Sequence, residues 1–216
     1  MLFRSQYSPT ARQWTWISGS STAGAGGEYG TQGTPGSGNV PGARTGAIAW
    51  IDASGNLWLF GGCQAAATAV NTPLTFLNDL WTYNPTSRQW TWVSGSSSTN
   101  AYGTYGTQGV PTAANVPSSR TGAVSWRDAA GNLWLFGGFG EDSGHSDFYG
   151  GYLNDLWVYN SSSKQWTWVS GSDLINAGGV YGTQGSAAAT NQPGGRSGAV
   201  AWTDTSGNVW LSGGFG

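Results

Sequence analysis

The chain alternates short apolar runs with polar runs rich in Gly, Ser, Thr, Asn and Pro. In its middle part, residues 77–83 predict a β-strand, and the Asn-Pro-Thr-Ser sequence at 84–87 predicts a turn. Residues 89–93 predict a second strand. Side chains alternate along a strand, so Trp90 and Trp92 are expected on one face of it.

The same unit continues with a long polar segment, residues 94–119. Residues 121–126 predict a third strand, and Asp-Ala-Ala-Gly-Asn at 128–132 predicts a hairpin turn. Residues 133–136 predict a fourth strand, which ends at the double glycine 137–138. Four short antiparallel strands in one unit predict one blade of a β-propeller.

This pattern recurs with a period of 76 residues. The sequence Gln-Trp-Thr-Trp begins at Gln13, Gln89 and Gln165, and no insertion or deletion disturbs the spacing. A fixed period indicates one supersecondary unit stacked on copies of itself. A residue present in every copy is therefore more typical of architecture than of an active site. Within a single domain, 1–216, the units are residues 1–76, 77–152 and 153–216.

The ordered strand sequences resemble those of the kelch-repeat family. They are Arg120, Leu-Trp-Leu-Phe-Gly-Gly at 133–138, Asn-Asp-Leu-Trp-Val-Tyr at 154–159, and Trp166. The resemblance implies an all-β fold, a kelch-like β-propeller with four-stranded antiparallel blades. This repeat is longer than the family's, which is about 50 residues. The first unit has Leu-Phe-Arg-Ser at 2–5 in place of Asn-Asp-Leu-Trp.

The register of the repeat places half-blades at both termini. The first residue aligns with the third strand of a blade, and residue 216 follows a second strand, which gives three blades' worth of strands. A closed ring has four to eight blades. We therefore expect a homodimer that exchanges half-blades and completes a six-bladed ring. A fragment of a larger propeller and an open head-to-tail assembly are the alternatives.

Recurring residues are interpreted as architectural. Tryptophans fill the wedge between blades, double glycines permit positive φ and close backbone approach, and arginines pair with aspartates or clamp the backbone. The residues assigned these roles are Arg44, Arg120, Arg196, Gly61, Gly62, Gly137, Gly138, Gly213, Gly214, Asp79, Asp155, Trp14, Trp90 and Trp166. A rim of exposed rings at Trp16, Trp92 and Trp168 is the alternative that would favour sugar binding.

Composition excludes several classes of function. Charged residues make up 8% of the chain and the net charge is −2, so the basic surface that nucleic acids require is absent. One cysteine, Cys63, excludes a disulfide framework. The single histidine cannot supply the copper ligands of galactose oxidase, an enzyme with a kelch-like propeller. We therefore predict no enzyme activity and no cofactor.

The loop at residues 139–152 differs between units, so the blade does not explain its residues. Glu141, Asp142, His145 and Asp147 are weak candidates for a metal site, because hard cations bind clustered carboxylates. Their spacing matches no known metal-binding motif. The favoured interpretation is a solvated polar loop without metal.

The long loops are expected on one face of the disc, where a protein or glycan ligand would bind. A purely structural, self-assembling unit is the alternative function. No run of 18 apolar residues predicts a membrane span. No signal peptide is predicted at the start, although the Trp- and Gly-rich, Lys-poor composition is typical of exported bacterial proteins.

Overall fold

The computed structural model describes residues 4–64, 75–144 and 150–216. Within them the chain forms thirteen β-strands, all paired antiparallel, and no helix. None of these residues belongs to a helix long and apolar enough to cross a membrane. The strands are β1 (Arg4–Ser8), β2 (Gln13–Ser18), β3 (Ile48–Ile51), β4 (Leu57–Gln64), β5 (Thr75–Asn84), β6 (Gln89–Ser94), β7 (Arg120–Thr121), β8 (Val124–Arg127), β9 (Leu133–Gly140), β10 (Gly151–Asn160), β11 (Gln165–Ser170), β12 (Val200–Thr203) and β13 (Val209–Ser212).

The strands form two large sheets and two hairpins. Sheet I has the order β3-β4-β5-β6. In sheet II, β9, β10 and β11 follow one another, and both β7 and β8 pair with β9. The N-terminal hairpin is β1 with β2, and the C-terminal hairpin is β12 with β13. The all-β, antiparallel class predicted from the sequence is confirmed.

The sequence pattern predicts that strands end at the double glycines, and this prediction is wrong. Strands β4 and β9 continue through them, with register shifts at the glycines of β4 and opposite those of β9. Gly61 and Gly137 have φ values of +64° and +65°. A Cβ on Gly61 would lie 2.8 Å from the carbonyl oxygen of Arg120. The expected close backbone approach is present, and it joins neighbouring sheets.

The strand predicted at 121–126 is divided into β7 and β8. Gly122 lies between them with a φ of +65°. Its N–H donates to the carbonyl of Gly46 at 2.9 Å instead of to the ladder of sheet II, and Gly198 donates in turn to the carbonyl of Gly122 at 2.8 Å. The break thus exists because this backbone joins three successive units.

The main hydrophobic core lies between sheet I and sheet II. Rings from the two sheets meet there: Phe60 lies 5.5 Å from Trp166, and Trp58 lies 5.6 Å from Tyr159, between ring centroids. Burying one such side chain contributes about 1.5–3 kcal/mol. All fourteen tryptophans lie on strands, as predicted.

The predicted hairpin turn at residues 128–132 is present. Asp128 accepts hydrogen bonds from the Asn132 backbone at 2.9 Å and from the Trp134 indole at 2.8 Å. Partial burial opposes ionisation, but these donors hold the pKa of Asp128 below its usual value. The aspartate therefore fixes both the turn and the tryptophan that follows it.

Candidate functional site

Sheet II contains a buried ion pair that joins β7 to β10. The Arg120 guanidinium donates from Nη1 to Asp155 Oδ1 at 2.5 Å and from Nη2 to Oδ2 at 2.7 Å. Arg120 also donates to the carbonyls of Gly137 and Ser118, at 3.1 and 3.0 Å. Two parallel charge-assisted bonds give this pair strong orientation.

A tyrosine from the long loop completes the cluster. The Tyr105 hydroxyl donates to Asp155 Oδ2 at 2.6 Å, and the Trp157 indole donates to the same oxygen at 2.7 Å. Burial and the neighbouring Asp155 carboxylate raise the pKa of Tyr105 well above its ordinary value. Burial opposes the charge of Arg120, but Asp155 raises the arginine's pKa. The tyrosine therefore stays a donor and the arginine a cation.

Sheet I repeats the cluster. Arg44 donates to both oxygens of Asp79, at 2.6 and 2.7 Å. Tyr29 and Trp81 each donate to Asp79 Oδ2 at 2.7 Å. The structure thus brings together the arginines and aspartates singled out in the sequence, and both pairs are buried.

Sequence reasoning missed the two tyrosines as members of these clusters. The signal was present, because Tyr29, Tyr105 and Tyr181 begin the repeated sequence Tyr-Gly-Thr-Gln-Gly at the same 76-residue spacing. Only the structure shows that this loop folds back onto the carboxylate of the following unit.

The third arginine occupies an open version of the site. Arg196 donates to the carbonyls of Gly194 and Gly213, at 3.1 and 3.0 Å, and to the Tyr181 hydroxyl at 3.2 Å. Among the described residues, no carboxylate forms a salt bridge with it. A cleft of about 410 Å³ opens there, lined by Tyr152, Tyr181, Arg196 and Gly214 among others.

The long loops of the first two units lie along exposed sheet edges. In sheet I, Gly33 N donates to the carbonyl of Trp92 at 2.7 Å, and Asn39 Nδ2 donates to that of Trp90 at 3.1 Å. Such contacts protect edge backbone that would otherwise pair with another chain. The predicted long-loop segments are therefore ordered against β6 and β11.

Sheet II has the same edge contacts, and the third unit does not. Gly109 N donates to Trp168 at 2.8 Å, and Asn115 Nδ2 donates to Trp166 at 3.1 Å. In the third loop, Asn191 keeps the bond within its own loop that its equivalents also make, to Ser186 at 3.1 Å, but it donates to no carbonyl of a described strand. Its buried Oδ1 has no hydrogen-bond partner among the described residues.

The terminal hairpins expose aromatic rings that the two sheets bury. Trp14 is 70% exposed, whereas its equivalents Trp90 and Trp166 are 8% and 1% exposed. In the C-terminal hairpin, Trp210 is 54% exposed, against 8% for Trp58 in sheet I. Contiguous exposed apolar surface of this kind is typical of interaction sites.

Trp16, Trp92 and Trp168 do not form the rim of exposed rings that would favour sugar binding. Tyr29 packs edge-on against Trp92, and Tyr105 packs edge-on against Trp168, each with ring centroids 5.2 Å apart. Of the three, only Trp16 is exposed, at 58%, whereas Trp92 and Trp168 are partly buried.

The weak metal candidates fall into two groups. Glu141 and Asp142 follow β9 and are buried, so the expectation of a solvated loop is wrong for these two residues. Asp142 Oδ1 accepts from the Gly144 backbone at 2.9 Å and Oδ2 accepts from the Ile175 backbone at 3.3 Å, so the carboxylate links two loops. The described residues contain no group of three or more metal-ligating side chains. His145 and Asp147 lie outside the described residues.

A second cleft, of about 380 Å³, lies between the two sheets. It is lined by aromatic and polar side chains, among them Trp58, Thr91, Tyr159 and Lys164. The Tyr159 hydroxyl is buried and has no hydrogen-bond partner within the described part of the chain. Burial raises the pKa of Tyr159, so the hydroxyl stays protonated and able to donate.

Comparison with known proteins finds similarity to solved structures and no family. No family model and no curated protein matches the chain. Among solved structures, the chain is similar to one described as "Structure of YjhT", with 16% identity and a TM-score of 0.46. The match covers 81% of this chain and 45% of the other, so this chain spans less than half of that structure.

Proposed function

We propose that the chain is a non-catalytic, kelch-like β-propeller module that serves as a scaffold and completes a six-bladed ring with a second copy of itself. Three features support the propeller arrangement. Each large sheet contains a short antiparallel meander, backbone hydrogen bonds join successive units at Gly46, Gly122 and Gly198, and Trp50 donates to the carbonyl of Trp126 at 3.1 Å. Repeated antiparallel meanders that contact one another in this way are typical of propeller blades.

The observation that carries the proposed ring is the complementarity of the two hairpins. The N-terminal hairpin exposes Trp14 and Trp16, whose equivalents in sheets I and II lie under a long loop. The third long loop has no such strand beneath it among the described residues. If the N-terminal hairpin of one copy docks onto the C-terminal hairpin of the other, the third long loop gains a strand to cover, and Trp14 and Trp16 become buried beneath it. Two-fold symmetry would then close the ring.

The proposal of a non-catalytic role rests on how the polar residues are used. The recurring arginines and aspartates of the first two units are buried and bonded to each other. A cluster with saturated bonds holds strands together but offers no open position to a substrate.

Solution mass tests the ring. Light scattering coupled to gel filtration is expected to give twice the single-chain mass of 22.4 kDa, independent of dilution over a tenfold range of about 5–50 µM. Replacing both Trp14 and Trp16 by Ser should yield the single-chain mass with an unchanged circular dichroism spectrum. A single-chain mass for the unaltered protein would refute the ring, and a mass that grows with concentration would indicate open filaments.

Glycan binding in the cleft between sheets I and II is a second candidate function. The specific observation is the buried Tyr159 hydroxyl, which lacks a partner among the described residues and borders Lys164 and Thr91. Sugars offer the hydroxyls that such a donor requires. A glycan array should then show signals that Tyr159→Phe abolishes. The equivalent change in sheet I, Tyr83→Phe, is the control and should leave them unchanged.

A protein ligand on the long loops remains the third possibility raised by the sequence. Substitution of the exposed loop residues Tyr102 and Leu174 should weaken the binding of such a protein. Loss of binding without loss of the two-chain mass would separate ligand recognition from assembly.

A further inference from the structure

The cleft between sheets I and II contains the chain's only lysine. Lys164 lies in the short turn between β10 and β11, and its side chain is exposed at the cleft. Among the described residues, it forms no salt bridge and no side-chain hydrogen bond. None of the described residues that line the cleft is an aspartate or a glutamate. The cleft therefore combines a cation without a partner and a wall without a negative charge.

The hydroxyl of Tyr159 is a second donor at the same cleft. The tyrosine is fully buried, and its hydroxyl has no hydrogen-bond partner within the described ranges. A buried hydroxyl without a partner is unfavourable, so a ligand oxygen that accepts its hydrogen bond would remove that penalty. The side chains of Thr91 and Ser161 add two more hydroxyls to the wall. This set of groups matches a ligand with several acceptor oxygens and a negative charge.

We propose that this cleft binds a sugar residue that carries an anionic group, either a carboxylate or a sulfate ester. The Lys164 ammonium would pair with the anionic group, and the Tyr159 hydroxyl would donate to an oxygen of the sugar. This inference rests on the second candidate function, glycan binding, and names the class of glycan. It does not depend on the proposed ring, because both sheets that border the cleft belong to one chain.

Asp52 bonds two of the lining residues but does not neutralise Lys164. Its carboxylate accepts from the Asn56 backbone and side-chain amide, both at 2.9 Å, and from the Trp58 indole at 3.0 Å. Partial burial opposes ionisation, but these donors hold the pKa of Asp52 below its usual value. The charge of Asp52 is thus compensated by its own turn and by Trp58, and it forms no salt bridge with the lysine.

An equivalent cleft within the chain provides a matched control. This cleft, of about 350 Å³, lies between the N-terminal hairpin and sheet I and is lined by Tyr83 and Arg88. These residues are the equivalents of Tyr159 and Lys164, 76 positions earlier. Arg88 and Lys164 even share a left-handed backbone, with φ values of +58° and +57°. Of the two tyrosine hydroxyls, however, only that of Tyr159 is both buried and without a partner in the described part of the chain.

The test measures the binding of two matched pairs of sugars to the full chain by isothermal titration calorimetry. Galacturonic acid trimer is compared with its methyl ester, and sulfated lactose is compared with lactose. Within each pair the sugar rings are the same and the negative charge differs. In at least one pair, the charged member should bind at least about fivefold more tightly than the neutral one. The pair that shows this preference identifies the anionic group.

Substitutions then assign the preference to the lysine. Lys164→Gln should reduce it to less than about twofold and leave the affinity for the neutral sugar unchanged, because the change removes only the charge. Lys164→Arg should keep the preference, and so should the control Arg88→Gln. Tyr159→Phe should weaken the binding of charged and neutral sugars alike, because its hydroxyl bonds an oxygen that both possess.

The single lysine also permits a measurement without any substitution. The full chain is treated with an acetylating reagent, and peptide mapping follows the modification of Lys164. The charged sugar that calorimetry selects should slow this acetylation at least about threefold, because pairing favours the unreactive ammonium form. Its neutral partner should not slow it.

Equal binding of the charged and neutral members in both pairs would overturn this inference and leave glycan binding as a candidate function. A charge preference that survives in Lys164→Gln would also overturn it, because another group would then hold the anion. Binding of none of the four sugars would count against it as well. In that case, glycan-array signals that depend on Tyr159 would leave the candidate function standing, and an array without signals would refute both.

Discussion

The guanidinium of Arg120 meets the carboxylate of Asp155 through two hydrogen bonds, at 2.5 and 2.7 Å, and both side chains are fully buried. Removing one member of such a pair leaves a buried charge without compensation, which costs more than the pair itself contributes. Arg196 occupies the equivalent position in the third unit but is only partly buried, and it forms no salt bridge with a described carboxylate. The chain therefore contains its own control for the energetic role of the cluster.

Arg120→Met should lower the free energy of unfolding by about 3–5 kcal/mol, because Asp155 would remain buried without its cation. Arg196→Met should cost only about 1 kcal/mol, since it removes hydrogen bonds to Gly194, Gly213 and Tyr181 but leaves no buried carboxylate without its cation. Urea denaturation followed by tryptophan fluorescence measures both. Equal losses for the two variants would show that the ion pair does not stabilise the sheet.

The double glycines give a second matched pair of substitutions. A Cβ on Gly137 would lie 2.8 Å from the Arg196 carbonyl oxygen and 2.9 Å from that of Leu153, and its φ is +65°. Gly213 has a similar φ of +70° but no atom within 4 Å. Both alanine variants incur about 1–2 kcal/mol for the left-handed backbone. Gly137→Ala should lose at least about 1 kcal/mol more in the same assay, from steric overlap. Equal losses would exclude close approach as the reason for glycine.

Tyr105→Phe should destabilise the fold by about 1.5–3 kcal/mol, because Asp155 loses a donor to its charge. Tyr181→Phe, at the open site, should have little effect.

The same hydroxyl predicts a dependence on pH. Burial and Asp155 raise the pKa of Tyr105 above its ordinary 10.0, so the folded chain retains this proton after the unfolded chain has lost it. Its contribution to stability is therefore complete below about pH 10 and is lost as the pH rises through the folded-state pKa. Denaturation midpoints from about pH 9 to about pH 12 should fall less steeply for Tyr105→Phe than for the unaltered chain. An unchanged slope would contradict the assignment.

Much of the fold follows from the sequence because its strands are short, apolar and bounded by turn residues. The turn at 128–132 and the strand predicted at 89–93, observed as β6, form where the pattern predicts them. The pattern failed in opposite ways at two glycines: the strand end predicted at Gly137 is absent, and the strand predicted at 121–126 is divided at Gly122. Both glycines contact the backbone of a neighbouring unit, and local sequence does not encode such a contact.

The candidate site was predictable only in part. Recurrence at the 76-residue spacing indicated that the arginines pair with aspartates or clamp the backbone, and in the structure Arg120 does both, at Asp155 and at the Gly137 carbonyl. The role of Tyr105 depends on how a loop of Gly, Ser and Asn folds over the edge of β11, which side-chain periodicity does not specify. The burial of Glu141 and Asp142 was missed for the same reason.

The proposed ring is tested most directly by its strand register. In sheets I and II, Leu57 pairs with Tyr83 and Leu133 pairs with Tyr159. By the same alignment, Val209 of one copy should face Tyr7 of the other. Cross-strand neighbours lie about 4.5–5.5 Å apart between Cα atoms, within the range of a disulfide.

The decisive measurement is therefore disulfide formation by a Cys63→Ala chain that also carries Tyr7→Cys and Val209→Cys. Mild oxidation should give a covalent two-chain species on a non-reducing gel, and peptide mapping should find position 7 joined to position 209. The control pair, Gln6→Cys with Val209→Cys, should cross-link poorly, because adjacent residues face opposite sides of a strand. A bond within one chain, no bond, or equal yields from the two pairs would contradict a ring built from two copies.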